Sequence, residues 1–303
     1  MESFDQSLKY LLQHDPAEFL RFGLDDPAIE VIGPLPSSMP ARGRDVDGSY
    51  LVALSGGVQA AAHIEFHRRH QSLKELAIDV AEAQIRLYRR ERLPVFSLVW
   101  DLYGKHDEPV LSERKLRFGL RRSGPRSQCV YQRVNLRGLG WEALLASGPP
   151  ALWPLVALTR DGATEAVVHR ARDAIEGRTE LTSAERADHL AVLWFVAEEE
   201  DLPLHVMKAY ISEERLMEST LYQSIFEKGE ARGETRTCAQ TILRILTHRM
   251  GALDPSVRER IQALSDVETL TAWYNEALLV VDSEGARRLA VKIQNAPLAA
   301  MAP

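Results

Sequence analysis

Asp47, Glu65 and His67 are the residues whose types and spacing suit chemistry. They lie in the stretch R-D-V-D-G-S-Y-L-V-A-L-S-G-G-V-Q-A-A-A-H-I-E-F-H-R-R, from Arg44 to Arg69. Tyr50 to Leu54 is apolar and rich in strand formers, and Ala60 to His67 ends in alternating polar and apolar residues. The Ser55-Gly56-Gly57 turn between them predicts an antiparallel hairpin. With that turn centred on Gly56, positions whose numbers sum to 112 face each other, so Asp47 falls opposite Glu65. Directly opposed residues share a face, with Cβ atoms about 5 Å apart. His67 follows Glu65 by two and shares that face, while Ile64 and Phe66 point the other way. Two carboxylates this close repel unless a cation sits between them. The spacing therefore predicts a divalent-metal site with a titratable imidazole beside it. The competing reading of the same alternation is a solvated hairpin face with scattered charges, and a bulge would shift the register.

Other groups surround this core. In the same register Asp45 faces His67 and either orients its ring or is an ordinary surface carboxylate. Glu30, near the sheet edge, is a candidate additional ligand. Lys9 and Asp5 on the first helix either approach the site or belong to a solvated helix face. His63 shares the Glu65 face, giving an H-x-E-x-H set of the kind that binds zinc, with no further ligand cluster in support. Arg68, Arg69, Arg86, Arg89 and Arg90 have the charge to contact phosphates. The same helix-end arginines are also explained by solvation or by the helix dipole.

The elements that must position these residues are legible. Phe4, Leu8, Leu11 and Leu12 recur at helical spacing, and Asp15-Pro16 starts a second short helix. Ile29–Ile32 is a strand candidate, followed by a loop with three prolines and then the hairpin. Leu76, Val80, Ala83 and Leu87 line one face of a helix from Leu73 to Arg92, stopped by Pro94. Val95–Trp100 is an almost unbroken apolar run, as expected of a strand buried on both faces. Strand, helix, strand implies a right-handed crossover. Lys115–Leu120 and Cys129–Leu136 are two further strand candidates. From Trp141 onward the pattern is helical, with a capping box at Thr182 to Glu185 and another at Ser265 to Glu268. Residues 218–237 are polar and carry Gly229 and Gly233, which predicts a mobile helical connector. Ile242, Ile245, Leu246, Leu270 and Trp273 are the expected core of a compact C-terminal helical unit, and 286–303 read as a frayed tail.

Composition sets the bounds. The chain has 303 residues, 45% of them hydrophobic and 26% charged, as expected of a globular protein with about two domains. Residues 1–155 hold 20 Lys+Arg against 19 Asp+Glu. The remaining 17 and 24 leave residues 156–303 acidic, and the whole chain at −6. A polyanionic partner would therefore meet local basic clusters of the N-terminal part. Cys129 and Cys238 match no metal or redox spacing and suggest free thiols in a reducing compartment. No signal pattern opens the chain, and the run Leu190–Ala197 is too short to span a bilayer, so a cytoplasmic protein without membrane contact is expected.

The hairpin carries a resemblance. F-D-Q-S-L-K-Y-L-L-Q-H-D-P, R-G-R-D-V-D, H-I-E-F-H and R-L-Y-R-R-E-R-L-P-V resemble, in that order, segments of the PD-(D/E)XK nuclease superfamily. The nearest branch is the recombination-promoting nuclease / putative transposase family. Y-Q-S-I-F-E-K-G-E-A-R-G-E with L-R-I-L-T-H-R-M-G is similar to a small domain of unknown function often fused to such nucleases. The resemblance spans residues 1–155 and 218–280. It implies an α/β fold with a restriction-endonuclease-like αβββαβ core and a C-terminal helical region. The implied domains are a nuclease-like domain (1–155), a helical extension (156–217), a small helical domain (218–285) and the tail.

By resemblance the chain is a metal-dependent DNA endonuclease acting in recombination or on mobile DNA. Asp47 and Glu65 would hold Mg²⁺ or Mn²⁺ with the backbone carbonyl of Phe66, and His67 would orient or deprotonate the attacking water. DNA is the implied partner, and the C-terminal helices offer a self-association surface. The chain departs from the pattern at His67, where the superfamily has Lys and this branch usually Gln. It departs again at Asp79 and Ala83, where relatives carry Arg and Tyr. A non-catalytic DNA-binding or assembly protein on the same scaffold is the alternative.

Overall fold

The computed structural model describes residues 2–36, 38–39, 44–67, 71–119, 126–264 and 266–296. It is an α/β structure: a mixed six-stranded sheet in the N-terminal half, followed by a large helical region. Two helices, α1 (Glu2–His14) and α2 (Pro16–Leu24), precede strand β1 (Glu30–Pro34). A separate two-stranded piece follows, β2 (Ser38–Met39) with β3 (Arg44–Asp45). The hairpin is β4 (Gly48–Ala53) and β5 (Gln59–His67). Helix α3 (Leu73–Glu91) then crosses to β6 (Val95–Asp101), and β7 (Leu111–Gly119) and β8 (Arg126–Val134) complete the sheet. The strand order is β1-β4-β5-β6-β8-β7, with β5, β6 and β8 mutually parallel.

The two faces of the sheet are covered differently because side chains alternate along each strand. Ile64, Phe66, Leu98 and Trp100 are fully buried on one face. Phe19 and Phe22 of α2 pack on Trp100 there, with ring centroids 4.8 and 5.9 Å away. A Cβ on Gly23 would lie 2.9 Å from Leu98 Cδ1, so any larger residue there would have to displace the Leu98 side chain in the buried core. On the other face Val99, Cys129 and Tyr131 pack against Leu76, Ala77, Val80 and Ala81 of α3. Helix α3 is opened by a Ser72–Glu75 capping box and closed by Arg92 in the left-handed region.

After the sheet come α4 (Trp141–Ser147), a 3₁₀ stretch over Pro150–Leu158, α5 (Glu165–Glu176), α6 (Ser183–Glu199), α7 (Leu204–Tyr210) and α8 (Glu213–Met217). The Thr182–Glu185 capping box opens α6 as expected. Leu190 to Ala197 is buried along its whole length. That fits a helix surrounded by other elements, and among the described residues no helix is long and apolar enough to cross a membrane. Helix α1 packs on α6. Tyr10 Oη donates to Asp188 at 2.5 Å, and Asp188 also accepts from Ser219 Oγ and Leu221 N, so one buried carboxylate ties α1, α6 and the start of the next helix together.

The chain divides into two compact units, residues 1–223 and 224–303. Residues 156–217 fall in the first unit with the sheet. The second unit is built from α9 (Thr220–Met250, which begins in the first unit), α10 (Pro255–Ala263), α11 (Val267–Leu278) and α12 (Ser283–Asn295). Ile242, Leu246, Leu270 and Trp273 are buried in its core, and Ile245 packs against it half-buried.

Two local expectations differ there, while the 218–237 segment is helical from Thr220 on, as expected, α9 running through Gly229 and Gly233. Each glycine costs about 1 kcal/mol, and the flanking Glu, Lys, Ala and Arg are good helix formers. The N-cap of α11 is Asp266, accepting from Thr269 N at 3.0 Å, not Ser265, which lies outside the described residues. Residues 286–295 are not a frayed tail, since Ala286, Leu289 and Ile293 of α12 are buried in the core.

A titration follows from the packing of α6. His189 is 5% exposed, and burial, then the Arg178 charge, lower its pKa to about 4. The unfolded chain takes up its proton near pH 6.5, before the folded chain does. Stability is thus intact above pH 6.5 and falls as pH drops toward 4, by roughly 3 kcal/mol. Urea unfolding of His189→Phe is expected to lose that part of the acid slope. An identical slope in wild type and variant would contradict the assignment.

Candidate functional site

Gly56 and Gly57 have φ of +90° and +77°, which sharpen the hairpin turn at no steric cost. The β4–β5 register runs from Gly48↔Ile64 to Ala53↔Gln59, each pair summing to 112. Asp47 immediately precedes β4, across from Glu65. Its side chain is 1% exposed. Asp47 Oδ2 accepts from the Phe66 N–H at 2.9 Å, and Oδ1 pairs with Lys9 Nζ at 3.2 Å. Burial, then the Glu65 charge, raise the Asp47 pKa to about 6, against the opposing pull of the Phe66 amide and Lys9. Lys9 also reaches Asp5 Oδ2 at 3.1 Å. Burial alone would lower its pKa, but Asp47 and Asp5 outweigh it and hold it raised. Lys9 and Asp5 thus stand at the site.

His67 sits differently. The parallel register places it beside Asp101, and its Nδ1 lies 2.8 Å from Asp101 Oδ1. Its Nε2 lies 2.8 Å from the Gln71 carbonyl oxygen. Both partners only accept, so these two contacts favour the doubly protonated ring, which has no lone pair to offer. Burial would lower the His67 pKa, but Asp101, then Gln71, outweigh it and raise it. Asp101 in turn binds Arg133 through Nε at 2.7 Å and Nη2 at 2.5 Å, and Arg133 Nη1 reaches Glu108. Burial would raise the Asp101 pKa, yet His67 and Arg133 hold it below the ordinary carboxylate value. Sequence reasoning missed Asp101, Arg133 and Ser97. The available signal for Asp101 was a charged residue ending an otherwise apolar strand.

His63 is 1% exposed, with Nδ1 3.0 Å from Ser97 Oγ. Its Nε2 is buried without a hydrogen-bond partner, 3.5 Å from Glu65 Oε2. Phe66 turns its ring into the core, edge-on to Phe19. Glu30 pairs with Ala53, six residues along the strand from Asp47, or about 20 Å at ~3.4 Å per residue. It is therefore not a further ligand. Asp45 belongs to the β2–β3 piece rather than continuing β4 opposite His67.

Arg68 and Arg69 lie outside the described residues. Arg86, Arg89 and Arg90 occupy the last two turns of α3. A parallel crossover must carry the chain back along the sheet, so these arginines end roughly 20 Å from the carboxylate end at ~1.5 Å rise per residue. Arg86 and Arg90 pair with Glu82 and Glu91. The fold does not bring the three to Asp47 and Glu65.

Among the described residues no group of three or more His, Cys, Asp or Glu side chains is placed to hold a metal ion. With both nitrogens of His67 engaged, the H-x-E-x-H set does not form a zinc site. Two carboxylates completed by water and substrate oxygens are nonetheless what Mg²⁺ or Mn²⁺ accepts. Asp47 and Glu65 are the two side chains that would hold such an ion here, with His63 Nε2 beside Glu65. No protein-family model, no curated protein and no solved structure matches the chain.

Proposed function

We propose that the chain is a metal-dependent DNA endonuclease of the PD-(D/E)XK type, on a restriction-endonuclease-like core, acting in recombination or on mobile DNA. One observation carries the reading. A buried carboxylate, Asp47, is held against the charge of Glu65 at the end of a strand pair, and burial with that charge raises its pKa to about 6. Such a pair binds a dication favourably. Asp47 and Glu65 would hold Mg²⁺ or Mn²⁺, which supplies an activated water and charge stabilisation on the phosphodiester. His63 borders Glu65. His67, closed onto Asp101 and Gln71, would position the end of β5 rather than take a proton.

The engagement of both His67 nitrogens also favours a second reading, a non-catalytic DNA-binding protein on the same scaffold. Supercoiled plasmid with the full chain separates the two. Nicking in Mn²⁺ or Mg²⁺ that stops in EDTA is the expected result. Gel-shift binding without nicking in either ion would establish the second reading.

A further inference from the structure

Asp47 already has a cation, and the protein supplies it. Lys9 Nζ lies 3.2 Å from Asp47 Oδ1, and the other Asp47 oxygen is taken by the Phe66 N–H. Both Asp47 oxygens are thus engaged, and a dication binding there meets the charge of the Lys9 ammonium on Oδ1. Helix α1 itself is fixed. Leu8, Leu11 and Leu12 are fully buried, and Tyr50 Oη donates to the Leu12 carbonyl at 3.1 Å. A Cβ on Gly48 would stand 2.7 Å from Leu12 Cδ2, so strand and helix are in close contact. The Lys9 side chain is different: it is one-third exposed and has a second acceptor, Asp5, one helical turn away at 3.1 Å. It can leave Asp47 without losing every ion pair, because residues four apart on a helix are neighbours.

We propose that Lys9 is an exchangeable cation of this site. It neutralises Asp47 when no divalent ion is bound, yields Asp47 to the ion, and then turns its ammonium to a non-bridging oxygen of the phosphodiester. The inference rests on the metal and phosphodiester reading above. It assigns Lys9 the contact with substrate charge that His67, committed to Asp101 and Gln71, does not make.

The test is Mn²⁺ binding by the full chain, read from the electron paramagnetic resonance of free Mn²⁺, alongside plasmid nicking at saturating Mn²⁺. Lys9→Met removes the competing charge and should bind Mn²⁺ about tenfold more tightly, since a charge a few ångströms from a ligand readily shifts affinity that far. The same variant should nick at least about tenfold more slowly, having lost a charge-assisted contact to phosphate. Lys9→Gln keeps a donor for Asp47 and serves if circular dichroism shows that Lys9→Met is unfolded; the same opposite-signed pair is expected of it. Lys9→Arg keeps the charge and should show no gain in Mn²⁺ affinity.

If wild type binds Mn²⁺ in a manner lost in Asp47→Asn, but neutralising Lys9 brings no gain, the exchange is refuted while the metal site stands. If affinity rises and nicking is undiminished, the phosphate contact is refuted. If neither wild type nor variant binds Mn²⁺, the metal reading falls and the exchange with it.

Discussion

Arg133→Met is expected to destabilise the first unit by about 3 kcal/mol, the low end of the cost of removing one partner from a buried ion pair. Arg133 has a side chain 6% exposed and Asp101 one 3% exposed, so neither charge is rescued by water. Removing the guanidinium leaves Asp101 with His67 as its remaining cation, which keeps the loss from reaching the top of that range. Asp101→Asn should cost less in the Arg133→Met background than alone, because no uncompensated carboxylate then remains. Because the Asp101 pKa is depressed, its contribution is present above the unfolded carboxylate value and lost as pH falls through its folded one. His67, with a raised pKa, stabilises below its unfolded value, and that part fades as pH rises through its folded one. The network should therefore stabilise most between the two. Denaturant titrations at several pH values measure this. A loss under about 1 kcal/mol for Arg133→Met would put the network in the ordinary range of surface pairs.

Asp47→Asn and Asp47→Ala are expected to remove nicking by at least about a thousandfold, roughly 4 kcal/mol of barrier. Asparagine keeps an acceptor for the Phe66 N–H while losing the charge, so its failure would be electrostatic rather than structural. Glu65→Ala should lose as much. His67→Gln restores the residue usual in the resembling branch and should keep Mg²⁺-supported nicking within about tenfold, since a lost general base costs more than that. A loss as deep as that of Asp47→Ala would show that His67 opens from Gln71 during turnover and takes the proton itself. Equal nicking by wild type and Asp47→Ala with every ion would mark the activity as a contaminant.

What the sequence by itself determined is mostly local. The Ser55-Gly56-Gly57 turn and the alternation around it set the β4–β5 register, and with it the opposition of Asp47 and Glu65, because a tight turn leaves only one pairing that buries Ile64 and Phe66. The helical stripe of α3, its stop before Pro94 and the capping box of α6 were legible for the same reason: their signals lie within a few residues. Tertiary structure decided the partners. His67 answers to Asp101 rather than to the carboxylate pair, because the parallel β5–β6 register is set by a 19-residue helix packing across the sheet and not by any turn. Lys9 reaches Asp47 from 38 positions upstream, because burial of Leu8, Leu11 and Leu12 docks α1 beside the hairpin. The arginines of α3 sit near the hairpin in sequence but at the far end of the sheet in space, since a crossover helix must run back along the strands it joins. Periodicity states which face a side chain takes. Only packing of distant segments states what that face meets.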